Sequence, residues 1–215
     1  SSQMSCFDGY VFYLVPPSSF GVQAVTSSLL PLFEVLDKGL IRGILVVSST
    51  GVFSESNEET VNNSTCISGK TRRVERLLEI EDAWLSSPFQ VTVARLGGIY
   101  GKGRIIGTSL LNRDESVPGT GQEYLNLIHG YDAAQALLRL KKSAFWGKKF
   151  VVTDGNPVQR KVYYNYLAEK LGHQRPVFSG EERNSYKCDS QNTWDKLRIT
   201  PKFGDYRAGL RDLIG

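Results

Sequence analysis

The residues best suited to chemistry are few and scattered. Cys6, Cys66 and Cys188 are the only cysteines and His129 and His173 the only histidines, and no spacing among them closes a zinc site or a disulfide framework. No metal site is expected. The glycine-rich run Gly97-Gly98-Ile99-Tyr100-Gly101-Lys102-Gly103 follows an apolar stretch, and such a run can cradle a phosphate when a helix opens directly behind it. No strong helical pattern follows these glycines. His129 and Asp132 stand between an apolar stretch and a helical one, where an acid suits a helix N-terminus and caps it. Tyr163, Tyr164 and Tyr166, with Val162 and Leu167, recur at helical spacing and read as packing, not as a base-stacking surface.

The elements that must position these residues alternate. Residues 10–15 are a continuous apolar and aromatic run closed by Pro16 and Pro17, the pattern of a strand buried on both faces. Residues 22–38 are helical in pattern despite Pro31, and residues 44–48 form a second strand. Residues 54–69, rich in Ser, Asn and Thr, read as a loop, with the formal glycosylation sequons at Asn62 and Asn63 as ordinary polar positions. Val74, Leu77, Leu78 and Leu85 make 70–86 an amphipathic helix, and 89–96 is a third strand. A short strand at 125–128, a helix at 131–141, a strand at 149–153 and a helix at 161–171 stopped by Gly172 follow. The tail is irregular until a helix at 206–213, with Trp194, Leu197 and Ile199 anchoring it. Strands alternating with helices imply parallel strands joined by crossovers, and so a doubly wound α/β sheet covered on both faces.

Composition excludes several classes. The chain has 215 residues, 26 basic against 22 acidic, with the signs interspersed. That balance is too mild for a nucleic-acid partner. No apolar run approaches the roughly 20 residues that span a bilayer, and no basic-then-apolar leader opens the chain. The expectation is one domain in the cytoplasm or another reducing, soluble compartment.

Five segments in order carry a resemblance. Val46-Val47-Ser48-Ser49-Thr50-Gly51-Val52-Phe53, Arg95-Leu96-Gly97-Gly98-Ile99-Tyr100-Gly101-Lys102-Gly103, Leu127-Ile128-His129-Gly130-Tyr131-Asp132-Ala133-Ala134, the strand and turn 150–158, and 189–201 with Gly209-Leu210 resemble landmarks of the extended short-chain dehydrogenase/reductases, the NAD-dependent epimerase/dehydratase family, in its atypical branch. The resemblance implies a truncated Rossmann-like parallel sheet, built from about 1–103 and 125–155, with a small substrate-type lobe from about 104–124 and 156–205. It assigns cofactor-facing positions to Pro16, Ser48, Gly97, Gly98, Ile99 and Tyr100, and substrate contacts to Arg104, Asn126 and His129.

In that family a strand-end serine and a Tyr-x-x-x-Lys pair hold the substrate oxygen, the lysine lowering the tyrosine pKa for acid–base work. Ser49 matches the serine; a hydroxyl capping the strand end, as Ser48 equally could, explains it as well. Ile67 and Thr71 stand at the tyrosine and lysine positions, and a shift of one residue places Ser68 and Arg72 there. Lys70 is the unaligned cation of that turn, and also a plain solvated helix-start residue. The Gly-x-x-Gly-x-x-Gly turn of a dinucleotide site is missing.

In the family's strand order the run 10–15 would lie beside an absent strand, an apolar edge that invites pairing with another chain. Two functions follow as expectations. The favoured one is a degenerate, non-catalytic member acting by binding or assembly, its edge strand covered by a partner or a second copy, with translation starting at Met4. The alternative is an NAD(P)-dependent oxidoreductase or epimerase acting on a sugar-like or small polar substrate, whose cofactor-binding N-terminal half is supplied separately; NAD or NADP would bind only with that half.

Overall fold

The computed structural model describes residues 9–20, 25–36, 38–54, 59–67 and 71–214. Along the chain run β1 (Gly9–Tyr13), α1 (Val25–Val35), β2 (Ile41–Ser49), β3 (Thr60–Val61), α2 (Arg72–Leu85), β4 (Val91–Leu96), β5 (Gly98–Tyr100), α3 (Thr108–Asn112), β6 (Tyr124–Leu125), β7 (Leu127–His129), α4 (Gly130–Leu140), β8 (Lys149–Val152), β9 (Val158–Gln159), α5 (Arg160–Leu171), β10 (Lys187–Cys188), α6 (Gln191–Leu197) and α7 (Tyr206–Ile214). Four strands form a wholly parallel sheet in the order β1-β2-β4-β8. Side chains alternate across it. Tyr13, Ile44, Val46, Val91 and Val93 pack on Leu29, Ile80 and Trp84 of α1 and α2. Leu45, Ala94, Leu96, Phe150 and Val152 pack on Ala133, Ala136, Leu140 and Trp194 of α4 and α6. Helices therefore cover both faces, as the alternating pattern requires.

Three expectations need correction. The first strand ends at Tyr13 and is not buried on both faces: Phe12 is 37% exposed, and beyond the strand Leu14 is 62% and Val15 40% exposed. The reason is position, because β1 pairs with β2 alone among the described strands. The polar stretch 54–69 holds β3, which pairs with β10 in parallel, and Asn63 is a pin: its side-chain oxygen accepts from the Val151 amide and its amide donates to Thr193. The tail contains α6, too short for a periodic signal, which buries Thr193, Trp194 and Leu197.

The sheet is tied to α2 by charge. Register sets Ser48 beside Arg95, and Glu81 of α2 lies over both. Arg95 donates from Nε to Glu81 Oε1 at 3.0 Å and from a terminal nitrogen to Oε2 at 2.7 Å. Ser48 Oγ donates to Oε1 at 2.6 Å, and Lys149 Nζ on β8 stands 3.2 Å from Oε2. Glu81 is fully buried and Arg95 nearly so. Burial pushes the Glu81 carboxyl up, but the Arg95 hydrogen bonds and charge, with Ser48 and Lys149, hold it below the usual carboxylate range. A forked guanidinium fits such a bidentate bond, which a lysine could not make.

The small lobe joins β6 and β9, antiparallel, to α3, α5 and α7 around Tyr100, Tyr163, Tyr164, Leu167 and Leu210. Gly209 is required here, since a Cβ would come 2.4 Å from the Tyr100 hydroxyl. The tail leading into α7 is pinned by polar groups. Asp132 does not cap its own helix: its two oxygens accept from the Lys202 and Phe203 amides at 2.8 Å, and His129 Nδ1 takes the capping bond from Tyr131 N instead. Asn156 donates to the Gly204 carbonyl and Tyr100 to that of Asp205. Beside them Asp154 is buried with Oδ2 unpartnered. Burial, with Asp205 and Asp132 nearby, pushes its carboxyl up to about 7 against the opposing bond from Asn156 N.

Two stability predictions follow from these buried acids. Removing one partner of the ion pair, as in Glu81→Gln, leaves Arg95 buried and uncompensated, and urea denaturation is expected to read a loss of about 3–5 kcal/mol, most of it recovered in Glu81→Leu/Arg95→Met. Because the Glu81 pKa is lowered on folding, its contribution is present above the unfolded value and lost as pH falls through the folded one. Asp154 has the opposite sign. Its raised pKa means stability is lost as pH climbs from the unfolded value of about 4 to about 7. Asp154→Asn is expected to raise Tm at pH 8, by up to about 4 kcal/mol in free energy, and to leave it nearly unchanged at pH 4.

Candidate functional site

The C-terminal ends of β2 and β4 and the start of the small lobe meet at one edge of the sheet, the side on which open α/β sheets bind ligands. A cleft of about 390 Å³ opens there. Its sheet-side wall includes Ser49, Thr50 and Gly51 at the end of β2 and Gly98 after β4; its lobe-side wall includes Tyr124, Asn126, Arg160 and Tyr186.

Ser49 ends β2 in extended conformation and its Oγ accepts from Gly51 N at 3.0 Å, capping the turn at Thr50–Phe53. The capping role and a place in the cleft are thus both realised. Thr50's carbonyl accepts from the Tyr186 hydroxyl at 2.9 Å, and burial outweighs that bond and pushes the phenol up to about 12. Asn126 is fully committed: its amide donates to the Tyr186 carbonyl at 3.0 Å and its oxygen accepts from Cys188 N at 2.7 Å. It positions the 186–188 segment as the cleft's far wall. Cys188 behind it is buried, which pushes its thiol up to about 12 and leaves it a packing residue.

The cleft's charge comes from residues that belong to none of the sequence motifs. Arg73, Arg160 and Arg183 line it together with one carboxylate, Glu123. Glu123 is spent on its own loop, accepting from Thr120 N and Oγ1 and from Gly121 N. Burial raises its pKa, yet these bonds outweigh that and hold it low. Arg160 opens α5, its guanidinium set 5.6 Å from the Tyr164 ring centroid and its Nε buried without a partner. None of the three arginines makes an ion pair with a described residue. Arg73 looks like one more polar position of an amphipathic helix and Arg183 lies in a stretch without periodicity, so neither announces itself. Arg160 follows the strand-and-turn segment 150–158, the one signal that could have found it.

Of the residues assigned by resemblance, Ser49, Gly98 and Asn126 line the cleft. Gly97 lies just behind, where a Cβ would come 2.6 Å from the Asn126 carbonyl. Pro16 is exposed at the end of β1. Ser48 is buried under Glu81, and Ile99 and Tyr100 pack in the core clusters. Arg104 is exposed on the turn paired with Gly101. His129 is enclosed between Tyr100 and Phe203, with ring centroids 5.3 and 4.0 Å away, and burial pulls its pKa down. These seven are absent from the cleft lining. Lys70 lies outside the described residues, as do Ser68, Met4 and Cys6. Among the described residues no group of acids, histidines and cysteines has the geometry of a metal site, and no helix is long and apolar enough to cross a membrane.

No family model matches the sequence. Protein YeeZ of Escherichia coli K12 is 29% identical over 194 residues, which are 88% of this chain; the match spans 65% of the length of YeeZ. Among solved structures, the dTDP-glucose 4,6-dehydratase of Bacillus anthracis in complex with NAD has a TM-score of 0.77 at 14% identity, covering 95% of this chain and 71% of its own. The UDP-N-acetylglucosamine 4-epimerase of Methanobrevibacter ruminantium has a TM-score of 0.74 at 17% identity, covering 96% and 75%. The UDP-glucose 4-epimerase of Thermotoga maritima with UDP-glucose has 0.72 at 19%, covering 95% and 75%. With parallel strands in the order β1-β2-β4-β8, helices on both faces and a small lobe closing the C-terminal edge, the chain has the fold of the NAD-dependent epimerases and dehydratases, the extended short-chain dehydrogenase/reductases.

Proposed function

We propose that this chain forms the ligand-holding part of an epimerase/dehydratase-like site and acts by binding a small, polar, anionic molecule in the cleft beside Ser49. The observation that carries this reading is the convergence of Arg73, Arg160 and Arg183 on one cleft whose single carboxylate is saturated by its own loop. Unpaired guanidinium groups around a concave, partly apolar wall favour a carboxylate or phosphoryl oxyanion that can take paired N–H bonds. A binding role without proton transfer agrees with the residues on hand. Ile67 and Thr71 stand where the resemblance would put the tyrosine and lysine. Tyr186, a phenol of the cleft, is tied to Thr50 and titrates far above neutrality.

A nicotinamide dinucleotide is the cofactor named with the solved B. anthracis dehydratase. The ends of β2 and β4 at Ser49, Gly97 and Gly98 could wall its reactive end. Its pyrophosphate needs backbone donors at a helix start, and the glycines present are committed to close packing on Asn126 and Ile106. The dinucleotide would therefore need further strands, added along the open edge of β1, where Phe12, Leu14 and Val15 are exposed. An all-parallel sheet is normally covered on both faces and paired along its apolar strands, so a parallel strand from a partner segment or a second copy is the expected cover. If such strands are supplied, the second reading, an NAD(P)-dependent enzyme acting on a sugar-like substrate, uses the same cleft.

Titration calorimetry separates these readings. The chain is expected to bind UDP-glucose at micromolar to millimolar concentration and to lose at least tenfold in affinity in Arg160→Gln, whereas NAD and NADP are expected not to bind at micromolar concentration. Tight NAD binding by this chain alone would overturn the cofactor argument, and wild-type affinity in Arg160→Gln would overturn the anion cleft.

A further inference from the structure

The three arginines of the cleft are not held alike. Arg160 is fixed, its guanidinium against Tyr164 and its backbone amide bonded to the Glu123 carbonyl at 2.8 Å. Arg183 belongs to a strap that contributes Arg183 and Asn184 to the cleft lining and is fastened by hydrogen bonds only at its ends. On one side Ser179 N donates to the Val117 carbonyl and Gly180 N to that of Gly119, both at 3.0 Å, and Gly119 N donates back to Ser179 Oγ at 3.0 Å. On the other side Ser185 Oγ accepts from Tyr124 N at 2.8 Å, Tyr186 is bonded to Thr50 and Asn126, and Lys187 N donates to the Glu59 carbonyl at 2.7 Å.

Between these fastenings, residues 181–184 are exposed and lack regular structure. Glu182, Arg183 and Asn184 make no hydrogen bond or ion pair with any described residue, and the one bond of the segment is a 3.4 Å contact from Glu181 N to Ser179 Oγ. The strap begins at Gly180, whose φ of +78° is left-handed and whose Cβ position is open, so the backbone turns there without steric restraint. Arg183 and Asn184 face the cleft; Glu181 and Glu182 do not line it. A cation without an ion pair, on a tethered segment that shares the cleft with the fixed Arg160, has one evident use.

Resting on the reading of the cleft as an anion site, we infer that residues 181–184 are a strap that closes over the bound molecule, with Arg183 as its ligand-contacting residue and Arg160 as the fixed one. The ligand is a small molecule bearing a phosphoryl or carboxylate oxyanion. Ordering four solvated residues costs conformational entropy, which only a charge-assisted contact to the ligand offsets. Closure would also exclude water from the ligand beside Ser49.

Hydrogen exchange and calorimetry on the full chain test this, with inorganic pyrophosphate as the phosphoryl probe and citrate as the carboxylate probe. The expected result is that at least one probe binds and slows amide exchange at 181–184 several-fold, and that Arg183→Gln lowers its affinity about tenfold with unchanged Tm, because Arg183 has no hydrogen bond or ion pair with a described residue to lose. Which probe protects identifies the oxyanion. Binding that leaves exchange at 181–184 unchanged and is equal in Arg183→Gln, while Arg160→Gln abolishes it, would overturn the strap and keep the anion cleft. Failure of both probes to bind would overturn the cleft reading and the strap with it.

Discussion

The buried pair of Glu81 and Arg95 is the constraint on which the rest of the structure depends. It joins α2 to the sheet at the strand where Ser48 and Arg95 lie side by side, and Lys149 extends it to β8. Desolvating two charges is costly, and the cost is offset only when every remaining lone pair and N–H has a partner. Here Glu81 takes two bonds from Arg95 and one from Ser48, while the Arg95 guanidinium lies 5.3 Å from the Phe53 ring centroid. The pair thus specifies one rotation of α2. That rotation packs Leu77 against the Ser49–Gly51 turn, where a Cβ on Gly51 would meet the leucine at 3.8 Å.

From that turn the cleft is assembled by a second set of polar ties, now between sheet and lobe. Asn126, at the point where the chain leaves β6 for β7, reads both a carbonyl and an amide of the 186–188 segment. Tyr186 returns the connection to Thr50, next to Ser49. Sheet end and lobe wall are locked together by side chains spent on structure, and this leaves the arginines as the cleft's charged groups without an ion pair to a described residue. The division of labour is physical: neutral amides and phenols satisfy buried backbone at low desolvation cost, whereas guanidinium groups remain ion-pair donors in search of an acceptor.

The free edge of β1 belongs to the same economy of unsatisfied groups. Its inner residue Tyr13 packs against Trp84 with the rings tilted and their centroids 5.0 Å apart, and belongs to the core. Phe12, Leu14 and Val15 do not. An apolar, parallel strand that pairs on one side only among the described strands is poorly matched to water.

The sequence by itself determined the alternation of strands and helices, the doubly wound class and the strand-end position of Ser49, because these depend on local periodicity and on short motifs whose meaning survives without contacts. It also marked Gly97 and Gly98 as special, and their glycine identity is required by the close approach of Asn126 and Ile106. Only the tertiary structure decided that Ser48 serves an ion pair, that His129 is enclosed by aromatic rings, and that Asp132 holds residues 202 and 203. The arginine cleft was likewise illegible, since Arg73, Arg160 and Arg183 come from a helix face, a helix start and an irregular strap far apart in the chain. Long-range polar partnerships leave no period in a sequence, and it is those partnerships that choose which side chains are consumed by the fold and which are left for a ligand.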